Sequence, residues 1–172
     1  PEGDLALAMV AVYLAMAPLT HAAGVLAFPI MAHGGQIVIM PYPDIGEFLA
    51  LASHHGATHT FLPPTLIYML IDHPALAATD LSAMQCFWYG AAPISPTRLE
   101  EAIEKLGPVM AQLFGQTEAP MMISMMAPQD HFHPDGSVAR QRLSSAGRPG
   151  PLVQVAILDP DGPGGQPLAL FE

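Results

Sequence analysis

Short apolar runs recur through the first two-thirds of the chain, each closed by glycine or proline and followed by residues at helical spacing. Residues 12–17 form such a run, stopped by Pro18, and residues 36–40 pack Ile37, Val38 and Ile39 between glycine and proline. Residues 58–62, 84–89 and 109–114 repeat the form, and each reads as a buried strand. Between them lie helix signals. The turn Pro18-Leu19-Thr20-His21-Ala22-Ala23-Gly24 feeds an apolar helix ending near His33-Gly34-Gly35. Asp44 and Glu47 have the spacing of a reciprocal cap, with Ile45, Phe48, Leu49 and Ala52 on one face and Gly56 as the stop. Pro63-Pro64-Thr65 opens a helix carrying Leu66, Met69 and Leu70, ended at Asp72-His73-Pro74. Ser95, as a cap, and Pro96 open another, whose stripe is Leu99, Ala102, Ile103 and Leu106; Gly107-Pro108 ends it.

Strand and helix thus alternate, and the strands are apolar on both faces. That predicts the α/β class, a mainly parallel sheet flanked by helices on both faces and joined by right-handed crossovers. Residues 1–11 are ambiguous between helix and strand. Beyond Glu118 the texture changes. Residues 121–126 read as one more strand, and 127–151, rich in Pro, Gly, His, Asp and Arg, as a long surface loop. Residues 152–158 read as a strand and Asp159-Pro160-Asp161-Gly162 as a turn. Residues 168–171 start a return strand that the chain is too short to complete. The expected organisation is an α/β subdomain over 1–126, and a loop with a short, incomplete β-rich segment of the same domain over 127–172.

Composition narrows the function classes. The chain has 172 residues, one domain's worth, and is 51% hydrophobic but only 12% charged. Residues 5–19 are almost purely apolar, yet too short to span a bilayer, and the basic start of a signal peptide is replaced by Glu2 and Asp4. We expect no stable membrane insertion, and an apolar surface able to support a homodimer. A formal charge of -10, with Arg98, Lys105, Arg140, Arg142 and Arg148 as the only permanent cations, argues against nucleic acid. The arginines read as partners of the excess carboxylates, so bound phosphates would need backbone amides or a metal. The single cysteine, Cys86, lies in an apolar run and suits a reducing, cytoplasmic setting.

Two stretches at strand ends carry candidate chemistry. Phe114-Gly115-Gln116-Thr117-Glu118 offers a stacking face, a flexible backbone, a hydroxyl for a phosphate oxygen and a carboxylate for Mg2+. The same residues equally suit a strand-to-helix turn capped by Thr117. Gly90-Ala91-Ala92-Pro93 exposes backbone groups that line a pocket, or else forms a tight turn before a helix. In parallel sheets ligands gather at such carboxyl ends. The histidine groups His54-His55, His59 and Asp130-His131-Phe132-His133 lack metal-ligand spacing and read as surface polar residues. His33 and His73 adjoin helix ends, and Met121, Met122, Met125 and Met126 would soften an acyl pocket.

Tyr89-Gly90-Ala91-Ala92-Pro93 and Phe114-Gly115-Gln116-Thr117-Glu118 resemble two core motifs of the adenylate-forming (AMP-binding) superfamily of acyl-CoA synthetases and adenylation domains. Pro18-Leu19-Thr20-His21-Ala22-Ala23-Gly24 resembles its histidine segment, and Ser145-Ala146-Gly147-Arg148-Pro149 a later one. The resemblance implies that Phe114, where the family usually has tyrosine, flanks adenine, and that Gly115 and Gln116 border the acyl-adenylate. It implies further that Thr117 contacts the phosphate and that Glu118 ligates Mg2+. Gly90, Ala91, Ala92 and Pro93 would line the nucleotide and acyl positions, and His21 would sit beside the acyl entrance. The family's phosphate loop, ribose-binding aspartate and lysine-bearing C-terminal domain have no counterpart in this sequence.

What the resemblance implies is a fragment of an ATP-dependent carboxylic acid–CoA ligase acting on a fatty or aryl acid. ATP or AMP, Mg2+ and CoA would be its cofactors and co-substrates, and the fragment would be inactive alone. Two alternatives stand beside it: an adenylation domain or fatty acyl-AMP ligase that loads a carrier protein, and a non-catalytic, self-associating α/β domain.

Overall fold

The computed structural model describes residues 10–158 and 167–171. The ambiguous start at residues 1–9 and the expected turn Asp159-Pro160-Asp161-Gly162 lie outside the described residues. A seven-stranded sheet runs in the order β2-β1-β3-β4-β5-β6-β7. Its members are β1 (Val12–Ala15), β2 (Gln36–Ile39), β3 (His59–Leu62), β4 (Cys86–Gly90), β5 (Met110–Gln116), β6 (Ala119–Met126) and β7 (Arg148–Pro149). The first five pair in parallel, while β6 and β7 are antiparallel. A separate hairpin joins β8 (Val155–Leu158) to β9 (Pro167–Phe171). The return strand expected to be incomplete therefore does pair, from Val155 opposite Phe171 to Leu158 opposite Pro167.

The helices are α1 (Ala22–Ala32), α2 (Ile45–His55), α3 (Pro64–Ile71) and α4 (Pro96–Leu106). The chain steps from β1 outward to β2 through α1, then reverses past β1 to β3 through α2. Connections of one hand that run in opposite directions must lie on opposite faces. The packing agrees. Tyr13, Ala15, Phe61 and Leu113 gather under Leu26 and Ile30 of α1. Their alternating neighbours Leu14, Leu62, Phe87 and Tyr89 pack against α2, α3 and α4.

Local chemistry accounts for most element ends. Asp44 Oδ1 accepts a hydrogen bond from the Glu47 backbone N–H at 2.7 Å, the forward half of the expected reciprocal cap. Ser95 occupies the N-cap of α4 but does not cap it with its side chain; its backbone N–H donates to the Tyr68 hydroxyl at 2.8 Å. Buried Thr58 and Thr60 spend their hydroxyls on the β1 backbone, at Val12 and Leu14, which leaves no polar atom of either stranded in the core.

Two expectations need correction. The stretch 127–151 is not simply a surface loop, because His131, Ala139 and Leu143 are buried in it and Leu143 belongs to the core above β4. His131 in particular is fully buried, not a surface residue. Its neighbours hide it from across the sheet, so local composition carries no sign of its burial.

Candidate functional site

The carboxyl ends of β4 and β5 lie side by side, with Gly90 opposite Leu113. A Cβ on Gly90 would stand 2.3 Å from the Leu113 carbonyl oxygen, so only glycine lets the two strands close here. Ala91 follows with φ +67°, a left-handed conformation that costs a non-glycine residue roughly 1–2 kcal/mol. Strain of this kind is retained where surrounding structure fixes it. β5 continues to Gln116, and Thr117 and Glu118 form the tip of a hairpin into β6, with Gln116 opposite Ala119. Thr117 is therefore not a helix cap. The strand-to-helix alternative fails because the chain turns back antiparallel.

Two clefts open on this edge. The smaller, about 330 Å³, lies between Gly90-Ala91-Ala92-Pro93 and Phe114 on one side and Ser144 to Ala146 on the other. The larger, about 550 Å³, is framed by His21 and Val25, by Phe61 of β3, and by Gln116, Thr117 and Glu118. Ala91, Leu113 and Gly115 belong to both and form a common wall. His21, the stretch from Gly90 to Pro93 and the stretch from Phe114 to Glu118 all line one cleft or the other. Phe114 is 45% exposed. Two further hollows, around Phe132 with Arg142 and around His73 with Lys105, lie away from this edge and contain none of these residues.

The turn carrying His21 is as tightly built. Gly24 would drive a Cβ to 1.8 Å from the Leu19 carbonyl oxygen, and its N–H donates to the His21 carbonyl at 3.0 Å. Tyr13 anchors the start of α1 by donating its hydroxyl to the Ala23 carbonyl at 3.0 Å. The His21 ring reaches the Thr20 hydroxyl at 2.9 Å, which leaves its other nitrogen for the cleft.

Neither cleft is lined by lysine or arginine. The cations are engaged elsewhere: Arg98 with Asp72 and Glu101, Lys105 with Glu101, Arg140 with Glu100 and Arg148 with Asp130. Arg142 donates to the carbonyls of Asp130 and Phe132. Among the described residues no three His, Cys, Asp or Glu side chains converge on a metal position. Glu118 is a lone exposed carboxylate beside Thr117, a donor set that suits Mg2+, which takes one or two carboxylates and completes its shell with phosphate oxygens and water. Burial pushes the Cys86 thiol up to about 12, so it is an inert hydrophobe and not a nucleophile.

Other wall residues escaped the sequence reading. Gln112 lines the smaller cleft; an amide inside the apolar run Met110-Ala111-Gln112-Leu113 was the available signal. Val25 and Phe61 give the larger cleft its apolar side and carry no local signal at all. The methionines do not fulfil their expected role, since Met122, Met125 and Met126 line neither cleft; Met125 packs beside the α1 cluster and Met126 is buried. The Met121 side chain lies outside the described residues.

Known proteins of one family match most of this chain. The family model for the AMP-binding enzyme matches residues 4–168. A medium/long-chain-fatty-acid–CoA ligase of Mycobacterium tuberculosis is 39% identical over 150 residues, 87% of this chain and 25% of the relative. A fatty acid–[acyl-carrier-protein] ligase of Streptomyces coeruleorubidus is 31% identical over 129 residues, 75% of this chain and 24% of the relative. Among solved structures, the amide bond synthetase from Marinactinospora thermotolerans superposes with a TM-score of 0.80 at 37% identity, covering 90% of this chain and 30% of that one. The chain spans about a quarter of the length of these curated relatives. Among the described residues no helix is long and apolar enough to cross a membrane.

Proposed function

The chain belongs to the AMP-binding enzyme family, and from that premise we propose that it supplies the acyl-adenylate site of an ATP-dependent carboxylic acid–CoA ligase for a fatty or aryl acid. The carrying observation is the common wall of Ala91, Leu113 and Gly115 between two clefts of different character. An acyl-adenylate has the matching shape, a nucleotide and an acyl chain joined at one phosphate. The nucleotide lies in the smaller cleft against Phe114 and the backbone of Gly90 to Pro93. The acyl chain lies against Val25, Phe61 and Leu113 in the larger, and the phosphate sits over the wall near Thr117.

In the proposed reaction a carboxylate oxygen of the acid bonds to the α-phosphorus of ATP while the bond to pyrophosphate breaks. The CoA thiol then takes the acyl group and AMP leaves. Such chemistry depends on positioning and on neutralising charge. Thr117 donates to a phosphate oxygen, His21 holds the carboxylate end of the acid, and Gly115 admits the flat ligand. Mg2+ held by Glu118 would supply positive charge to the phosphates. With every permanent cation of the chain engaged elsewhere, we read this stretch alone as a binder without turnover. We place the protein in the cytoplasm and in fatty-acid metabolism, on the reduced Cys86 and the fatty-acid relatives, and keep the division into 1–126 and 127–172 as the working domain description.

Glu118→Gln tests the metal position. ATP binding is expected to strengthen about tenfold with Mg2+ in the wild type and to show no Mg2+ dependence in the variant. Equal Mg2+ dependence in both would remove Glu118 from the site. Two other readings have support. The Streptomyces relative favours a carrier protein as the acyl acceptor. The exposed apolar face of α1, Val25, Phe28 and Met31, favours a non-catalytic self-associating domain, for which light scattering would show a stable oligomer indifferent to nucleotide.

A further inference from the structure

A buried chain of hydrogen bonds ties the segment after β6 to the wall of the smaller cleft. His131 closes a 3-10 turn over Pro128–His131, and its ring Nδ1 lies 3.1 Å from the Ala127 carbonyl oxygen. A carbonyl only accepts, so Nδ1 carries the proton. Nε2, left with its lone pair, stands 2.9 Å from the Tyr89 hydroxyl and accepts that group's single proton. Both rings are buried, at 0% and 1% exposure, so neither bond has water as a substitute.

The consequence reaches Gln112, whose carboxamide Oε1 lies 3.3 Å from the same Tyr89 hydroxyl. One proton shared between His131 and this oxygen would make only a weak three-centre bond. A half-turn of the amide avoids this, since the two ends have the same shape and the NH2 can donate to the Tyr89 oxygen. The carbonyl oxygen is then the end of Gln112 available to the cleft it lines. Tyr89 also immediately precedes Gly90, so the same bond holds the end of β4 at the cleft edge.

We propose that His131, acting through Tyr89, is a positioning residue that fixes the Gln112 amide with its acceptor toward the smaller cleft, and so selects a purine bearing an amino group over one bearing an oxo group. It rests on the reading of that cleft as the nucleotide side. An acceptor in the wall pairs with the 6-amino group of AMP and meets the 6-oxo group of IMP as a like partner. Without His131 or the Tyr89 hydroxyl the amide can turn either way, and the preference relaxes.

The test measures AMP and IMP affinity by calorimetry on the intact gene product that carries this chain, with Tyr89→Phe, His131→Phe and the double variant. The wild type is expected to prefer AMP, and each single change to lower the AMP-to-IMP ratio about three- to tenfold, the worth of one hydrogen bond. The double variant is expected to lose no more than the worse single, because the residues act in series. Tyr89→Phe carries the test if His131→Phe does not fold. An unchanged ratio with a lowered unfolding midpoint would leave His131 a purely structural residue and overturn the proposal, as would a wild type without preference. A wild type that binds neither nucleotide overturns the reading of the cleft itself.

Discussion

His131 lies in Asp130-His131-Phe132-His133, a string of polar residues with the look of solvent-exposed loop, yet it is wholly buried beside Tyr89. Burial lowers its pKa from the usual histidine value, outweighing the hydrogen bonds to the backbone and the nearby Asp130 charge that favour the cation. His59 is lowered in the same direction by burial. The unfolded chain therefore binds protons near pH 6.5 that the native one refuses, so stability is full above that pH and declines as pH falls below it, until the native histidine also titrates. Urea midpoints are expected to drop between pH 7 and 5, with a shallower slope in His131→Gln. An equal slope in that variant would show that His131 is not the group responsible. What the sequence could not show here is physical: Tyr89 and His131 are 42 positions apart, and only the folded sheet brings them together. Phe114, Thr117 and Glu118 were legible as candidates because their chemistry and spacing are local, whereas Gln112 needed its cleft to be seen.

The helices were the most legible elements, because their signals are written within a few residues of each end. For α2 this is quantitative. Replacing Asp44 by Ala removes the acceptor for the Glu47 N–H and is expected to cost about 1 kcal/mol, read from the denaturant midpoint at neutral pH. No change would mean that packing of Phe48 and Leu49 alone sets the start of the helix. Strand positions were also visible, as apolar runs between breakers. The parallel direction of the first five strands was visible too, from their apolar runs alternating with helices, but the direction of β6 was not. The turn at Thr117 and Glu118 sends β6 back antiparallel, a choice made by pairing with β5 along the Leu113–Met125 register and not by any residue at the turn. The β8–β9 hairpin was read as cut short for a related reason, since its closure depends on register between strands separated by a long connection.

For the molecule as a whole, the reversal of strand order around β1 places α1 on the face opposite α2, α3 and α4, and the site gathers where those elements end. The turn with His21, the end of β4 and the tip of the β5–β6 hairpin come from three separated parts of the chain, and one wall joins the clefts they frame. That arrangement is the central claim: two unlike clefts meet where one phosphate would lie. It is tested most directly by calorimetry with a non-hydrolysable acyl-adenylate analogue, alongside AMP and the free acid. The analogue is expected to bind at least tenfold more tightly than either half, because the second half then binds within one molecule. An analogue no tighter than AMP alone, or silent at millimolar concentration, would contradict a site built across the common wall.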